Sequence, residues 1–119
     1  MSRITIVLVA LVAMAGRALA QDPVKVAPKN YSVVLENDQV RVLRAILSPG
    51  EKTPSHEHPA MVVVPLTDAI ARFTRADGST QEQKMAAGTP LWIGAEKHAV
   101  ENIGKAKVEV IVIELKGRK

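Results

Sequence analysis

From residue 31 to residue 115 the chain alternates short runs with turn-forming residues at intervals of about ten, the spacing of short strands in a sandwich or barrel. Runs are expected at 31–36, 40–48, 60–66, 69–75, 80–85, 90–93, 98–103 and 108–115, most of them rich in Val, Ile and Leu. Asn37-Asp38, Pro49-Gly50, Asp77-Gly78 and residues 102–105 punctuate them. Asp-Gly is a hairpin signal because a type I′ turn needs positive φ at both central positions. Pro-Gly suits a type II turn, with proline setting the first central φ and glycine taking the second. The 60–66 run is nearly all apolar, which predicts a strand buried on both faces. No stretch repeats at 3.6 residues with caps, so helix should contribute little. About eight strands in so short a length must close, or nearly close, on themselves to bury their edges. The expected fold is all-β, a small jelly-roll β-barrel.

The 119 residues leave room for one domain. Residues 1–20 have the layout of a secretory signal peptide: Arg3, an apolar run over 4–15, then Ala18-Leu19-Ala20 as the small residues before a cut. The apolar run is shorter than the roughly 20 residues that span a bilayer. Cleavage is expected after Ala20, giving a periplasmic or secreted protein with no membrane span, and the absence of cysteine excludes a lipid-anchored form. Residues 21–30, with Pro23 and Pro28, read as an extended leader, and 31–116 as the β domain. Removing the signal segment takes away Arg3 and Arg17 and no acid, so the formal charge of +4 falls by two. With one Trp, one Tyr and one Phe there is no stacking platform for single-stranded nucleic acid, and no nucleic-acid partner is expected. Without cysteine, any bound metal must be held by nitrogen and oxygen.

Three histidines occur: His56, His58 and His98. In an extended backbone, residues two apart point to one face, so His56 and His58 project together and Glu57 turns the other way. Two such imidazoles can share one ion, because each metal–nitrogen bond is only about 2.0–2.1 Å. A third ligand must come from elsewhere, and His98 opens a strand forty residues after His58. Three neutral imidazoles suit one divalent transition metal, whether zinc, iron, copper or nickel, and leave positions for water or a small-molecule ligand.

The surroundings of these histidines resemble the motifs of a small single-domain cupin. Gly50, five residues, then His56-Glu57-His58 matches the front half of that family's first motif, and Gly88, His98 and Asn102 fall at places of the second. The resemblance spans about residues 31–116. It implies a jelly roll, His56, His58 and His98 as metal ligands, and pairing into a homodimer through strand edges. The departures are specific. Val62 or Val63 stands where the family has a metal-binding glutamate, Gly94 where it has proline and Glu96 where it has glycine. The second-motif histidine also comes one residue early.

Other residues carry competing readings. Trp92 could wall a pocket or pack half-buried, and Asn102 could line a pocket or satisfy backbone groups before Gly104. Arg41, Arg44, Arg72 and Arg75 read as solvated outer-face charges, or as contacts for an anionic ligand. Glu57 and Glu96 are the carboxylates nearest the histidines in sequence. Ser55 as a nucleophile is set aside, since metal binding would leave it no histidine base. The expected function is an exported metal-binding protein, either an enzyme acting on a small polar molecule or a non-catalytic module that binds a small ligand or the metal.

Overall fold

A computed structural model describes residues 21–117. Among these residues, nine strands form two antiparallel sheets. They are β1 (Tyr31–Glu36), β2 (Val40–Leu47), β3 (His56–His58), β4 (Met61–Pro65), β5 (Ala69–Arg75), β6 (Thr80–Met85), β7 (Leu91–Ile93), β8 (Glu96–Asn102) and β9 (Val108–Leu115). One sheet runs in the order β1-β2-β9-β4-β7 and the other β3-β8-β5-β6. The jelly-roll expectation holds, with the refinement that the two sheets face each other and do not close into a barrel.

Period-two alternation builds the interior. Leu43, Ala45 and Leu47 of β2, Met61 and Val63 of β4, and Val108, Val110 and Val112 of β9 point inward from the larger sheet. Ala71 of β5, Met85 of β6 and Val100 of β8 meet them from the smaller one. Burying that apolar area is the main favourable term for a domain without disulfides. The expected turns form as well. Asp77-Gly78 joins β5 to β6, though not through a type I′ turn: only Gly78 has positive φ, at +89°, and its N–H donates to Arg75 carbonyl at 2.9 Å. At Pro49-Gly50, Glu51 N–H donates to Ser48 carbonyl at 3.0 Å and Gly50 sits at φ +81°, where a Cβ would be strained.

Two expectations need correction. The strand over 60–66 is shorter and buried on one face: Met61, Val63 and Pro65 are buried, while Val62 and Val64 are half-buried. In an open sheet the outer face of β4 is only partly covered. The His-Glu-His segment forms its own short strand, separated from β4 at Pro59-Ala60. Residues 21–30 are not extended throughout. Pro23–Val26 makes a single helical turn, α1, whose N-cap Asp22 accepts from Val24 N–H at 3.0 Å. Proline at the first helical position costs no hydrogen bond, and aspartate before it satisfies a free N–H. Pro23, Ala27 and Asn30 are buried, so this segment belongs to the packed domain. The expected signal segment, 1–20, lies outside the described residues. Among the described residues, no helix is long and apolar enough to cross a membrane.

Candidate metal centre

β3 pairs with β8 in the register His56↔His98, Glu57↔Lys97, His58↔Glu96. Directly opposed residues in an antiparallel pair share a face, so this register puts His98 beside the two histidines of β3. All three rings are buried, at 0% (His56), 3% (His58) and 1% (His98) exposure. Ring centroids lie 4.8 Å (His56–His58), 4.9 Å (His56–His98) and 5.3 Å (His58–His98) apart. One nitrogen from each ring lies within 4.8 Å of the others. Small side-chain rotations bring such atoms within the roughly 4 Å that two metal–nitrogen bonds of about 2.1 Å can span. The three histidines singled out in the sequence are thus brought together, and Glu57 points outward as alternation requires.

Each ring is oriented through its Nδ1. His56 Nδ1 meets Pro54 carbonyl at 3.0 Å, His58 Nδ1 meets Glu114 Oε2 at 2.6 Å, and His98 Nδ1 meets Glu96 Oε2 at 2.7 Å. An acceptor on Nδ1 places the proton there and leaves Nε2 as a lone-pair donor, the arrangement that orients histidine toward a metal. Thr53 supports the same corner: its hydroxyl accepts from Val100 N–H at 3.0 Å and lies 3.5 Å from His56 Nδ1. The donor set and its orientation therefore fit a divalent transition ion.

Electrostatics agree. Burial pushes His56 down to about 4, helped by its histidine neighbours and opposed by the Pro54 carbonyl. Burial also lowers His98, against the opposing pull of its Glu96 hydrogen bond. Neutral rings are what a cation needs. Tyr31 Oη lies 3.2 Å from His56 Nε2. Burial, reinforced by the Glu114 carboxylate, holds this phenol above its ordinary range, so it remains a neutral O–H.

Beside the rings is a cavity of about 40 Å³, whose lining includes Tyr31, His58, His98, Met61, Val63 and Phe73. Space of that size holds more than a single water but falls well short of the roughly 150 Å³ that accommodates benzene. Apart from Tyr31, His58 and His98, every lining side chain is apolar.

Several residues were not legible as site residues. Glu114 carries a carboxylate into the interior from β9, opposite Met61 of β4. The clue was present: Glu114 continues the inward series Val108, Val110, Val112, and an acid on a buried face needs a partner. Tyr31 gave no signal beyond opening a strand. Arg41, read as solvated, is instead 17% exposed and paired to both Glu114 and Asp22. Trp92 neither packs half-buried nor walls the cavity, since it is 63% exposed. Asn102 does satisfy backbone groups, donating to Leu47 and Ala106 carbonyls and accepting from Gly104 N–H.

The sequence matches no family model and no curated protein. Solved structures do match. A cupin domain from Bordetella pertussis Tohama I superposes with a TM-score of 0.67 at 25% identity, covering 73% of this chain and 92% of that one. An RmlC-like cupin family protein with a double-stranded β-helix fold from Methanocaldococcus jannaschii gives 0.58 at 16% identity, over 71% and 77% of the two chains. The polyketide cyclase RemF from Streptomyces resistomycificus gives 0.55 at 19% identity, over 74% and 65%.

Proposed function

We propose that this chain, which has the fold of a small cupin domain, holds one divalent transition metal on His56, His58 and His98. A small molecule then binds at the coordination positions that three rings leave open. The observation that carries this reading is the convergence of three buried imidazoles, each with its Nδ1 already committed to an oxygen acceptor. Zinc, iron, copper and nickel all accept such a set, and the bound ion would supply Lewis acidity. The chain's own part is to orient the rings, exclude water and offer one proton donor, the Tyr31 hydroxyl. The cavity narrows the expected ligand from a small polar molecule to one of a few heavy atoms with an apolar end.

A non-catalytic ligand-binding module is the second reading, and one observation favours it. Both carboxylates beside the rings are committed: Glu114 to His58 and Arg41, Glu96 to His98 and Arg75. Neither is free to serve as a general base. Export through residues 1–20 and self-pairing remain part of the proposal. Self-pairing is assigned to the edge strand β1, where Val33, Val34 and Leu35 are exposed. N-terminal sequencing of the exported protein tests the first. Sedimentation of wild type against Val34→Lys tests the second, with loss of dimer expected.

The deciding experiment is elemental analysis of residues 21–119, purified without an affinity tag, beside His58→Ala. Near one transition metal per chain in the wild type, lost in the variant, is expected. No stoichiometric metal even after loading with zinc, iron, copper and nickel would overturn the metal reading.

A further inference from the structure

The segment before β1 is tied to the histidine strand at two separate points. Glu57 N–H, between the two histidines on β3, donates to Gln21 carbonyl at 2.8 Å. β3 is an edge strand, so this bond covers an edge donor that its sheet leaves unpaired. Asp22 takes a two-pronged bond from Arg41, at 2.9 and 2.8 Å, and Arg41 Nε donates to Glu114 Oε1 at 2.9 Å. The other oxygen of Glu114 holds His58 Nδ1 at 2.6 Å. Between these points α1 packs on β1 and β3, with Pro23 and Ala27 buried. Tyr31, the first residue of β1, is no part of this tie, since its hydroxyl lies on His56 Nε2, the nitrogen that a metal would take.

We propose that residues 21–27 form a strap that holds β3 in place and His58 in ligating geometry, with Asp22 and Arg41 as positioning residues, so that metal occupancy and strap docking reinforce each other. The inference rests on the metal reading above. Arg41 is the hinge of the relay. Its planar fork binds Asp22 with two nitrogens and Glu114 with the third, which fixes the Glu114 carboxylate in the orientation that faces His58. A lysine cannot reproduce that geometry. The side chains are 11% (Asp22), 17% (Arg41) and 4% (Glu114) exposed, so solvent screens the relay weakly. Because linkage is reciprocal, whatever docking the strap adds to metal affinity, the metal must return as protection of the strap.

Two measurements on the purified protein test this. In the first, zinc affinity is obtained by chelator competition for wild type, Arg41→Gln, Arg41→Lys, Asp22→Asn and the exposed control Arg44→Gln. Arg41→Gln is expected to bind about tenfold more weakly, as for partners that orient a metal-bound histidine. Arg41→Lys should recover little of the loss, Asp22→Asn should lose a few-fold, and Arg44→Gln should match wild type. In the second, amide hydrogen exchange over residues 21–27 is followed with and without zinc. Zinc is expected to slow exchange there in wild type, and Arg41→Gln should abolish that slowing. Asp22→Asn gives the same readouts if Arg41→Gln fails to fold. Unchanged affinity in the variants, with exchange of the strap indifferent to zinc, would overturn the strap while leaving the metal centre standing. Failure of wild type to bind any metal would instead overturn the underlying reading.

Discussion

Two carboxylates hold two of the histidines at nearly the same distance, 2.6 Å for Glu114 on His58 and 2.7 Å for Glu96 on His98, yet their surroundings differ. Glu114 is 4% exposed and backed by Arg41, itself backed by Asp22. Glu96 is 22% exposed, and its arginine, Arg75, is 36% exposed and reaches it at 3.3 Å. The contact to histidine is the same, but the support behind it is buried on one side and wet on the other. Burial makes the Glu114 side costly to disturb, since removing one partner strands charge away from water. Water and salt can stand in for Arg75 on the other side.

The sharpest way to break this comparison is Arg41→Ala, which leaves Glu114 and Asp22 without their shared cation. A loss of about 3–5 kcal/mol is expected from urea unfolding of the metal-free protein. A loss no larger than that of an exposed pair would show that water reaches Glu114.

Acid should produce the next largest effect, through the ring that has no carboxylate at all. His56 meets only a carbonyl at Nδ1, and burial holds it at about 4 in the folded state. The unfolded chain protonates near 6.5 and the folded one only near 4, so stability from this group is complete above about 6.5 and falls as pH drops toward 4. The decline should reach roughly 2 kcal/mol by pH 5 and roughly 3 kcal/mol by pH 4. Urea midpoints of chelator-treated protein at pH 7.5, 6 and 5 measure it, and a flat profile would mean that His56 is solvated.

Glu96→Gln tests the wet side. An amide oxygen still accepts from His98 Nδ1, so the expected cost is about 1 kcal/mol or less, shrinking as salt is added. A cost matching that of Arg41→Ala would erase the distinction between the two sides. The smallest effect belongs to Arg72→Ala. Arg72 bridges Glu82 and Glu101 on the outer surface of the smaller sheet, and its loss should leave the thermal midpoint and zinc affinity where they were.

Much of the fold was legible because its signals are local. Asp77-Gly78 required a hairpin, Pro49-Gly50 required a turn, and alternation in β9 required one buried face. The 60–66 strand was misjudged because an apolar sequence does not say how many faces a neighbour covers. Within the site, the shared face of His56 and His58 followed from period two. Glu114 could have been found by extending the same count along β9. Arg41 could not, because an arginine in a strand reads as solvated until a partner is found for it, and Asp22 lies nineteen residues away.

The sequence by itself determined the strand-and-turn alternation, the lack of thiol ligands and the pairing of two histidines on one face, since each depends on residues within a few positions of one another. Tertiary structure alone decided the register that sets His98 opposite His56, the inward carboxylate that orients His58, and the return of residues 21–27 onto β3. Those contacts join strands far apart in the chain. They are selected by burying apolar faces and pairing every buried polar atom at once, a condition on the whole domain that no short stretch of sequence can express.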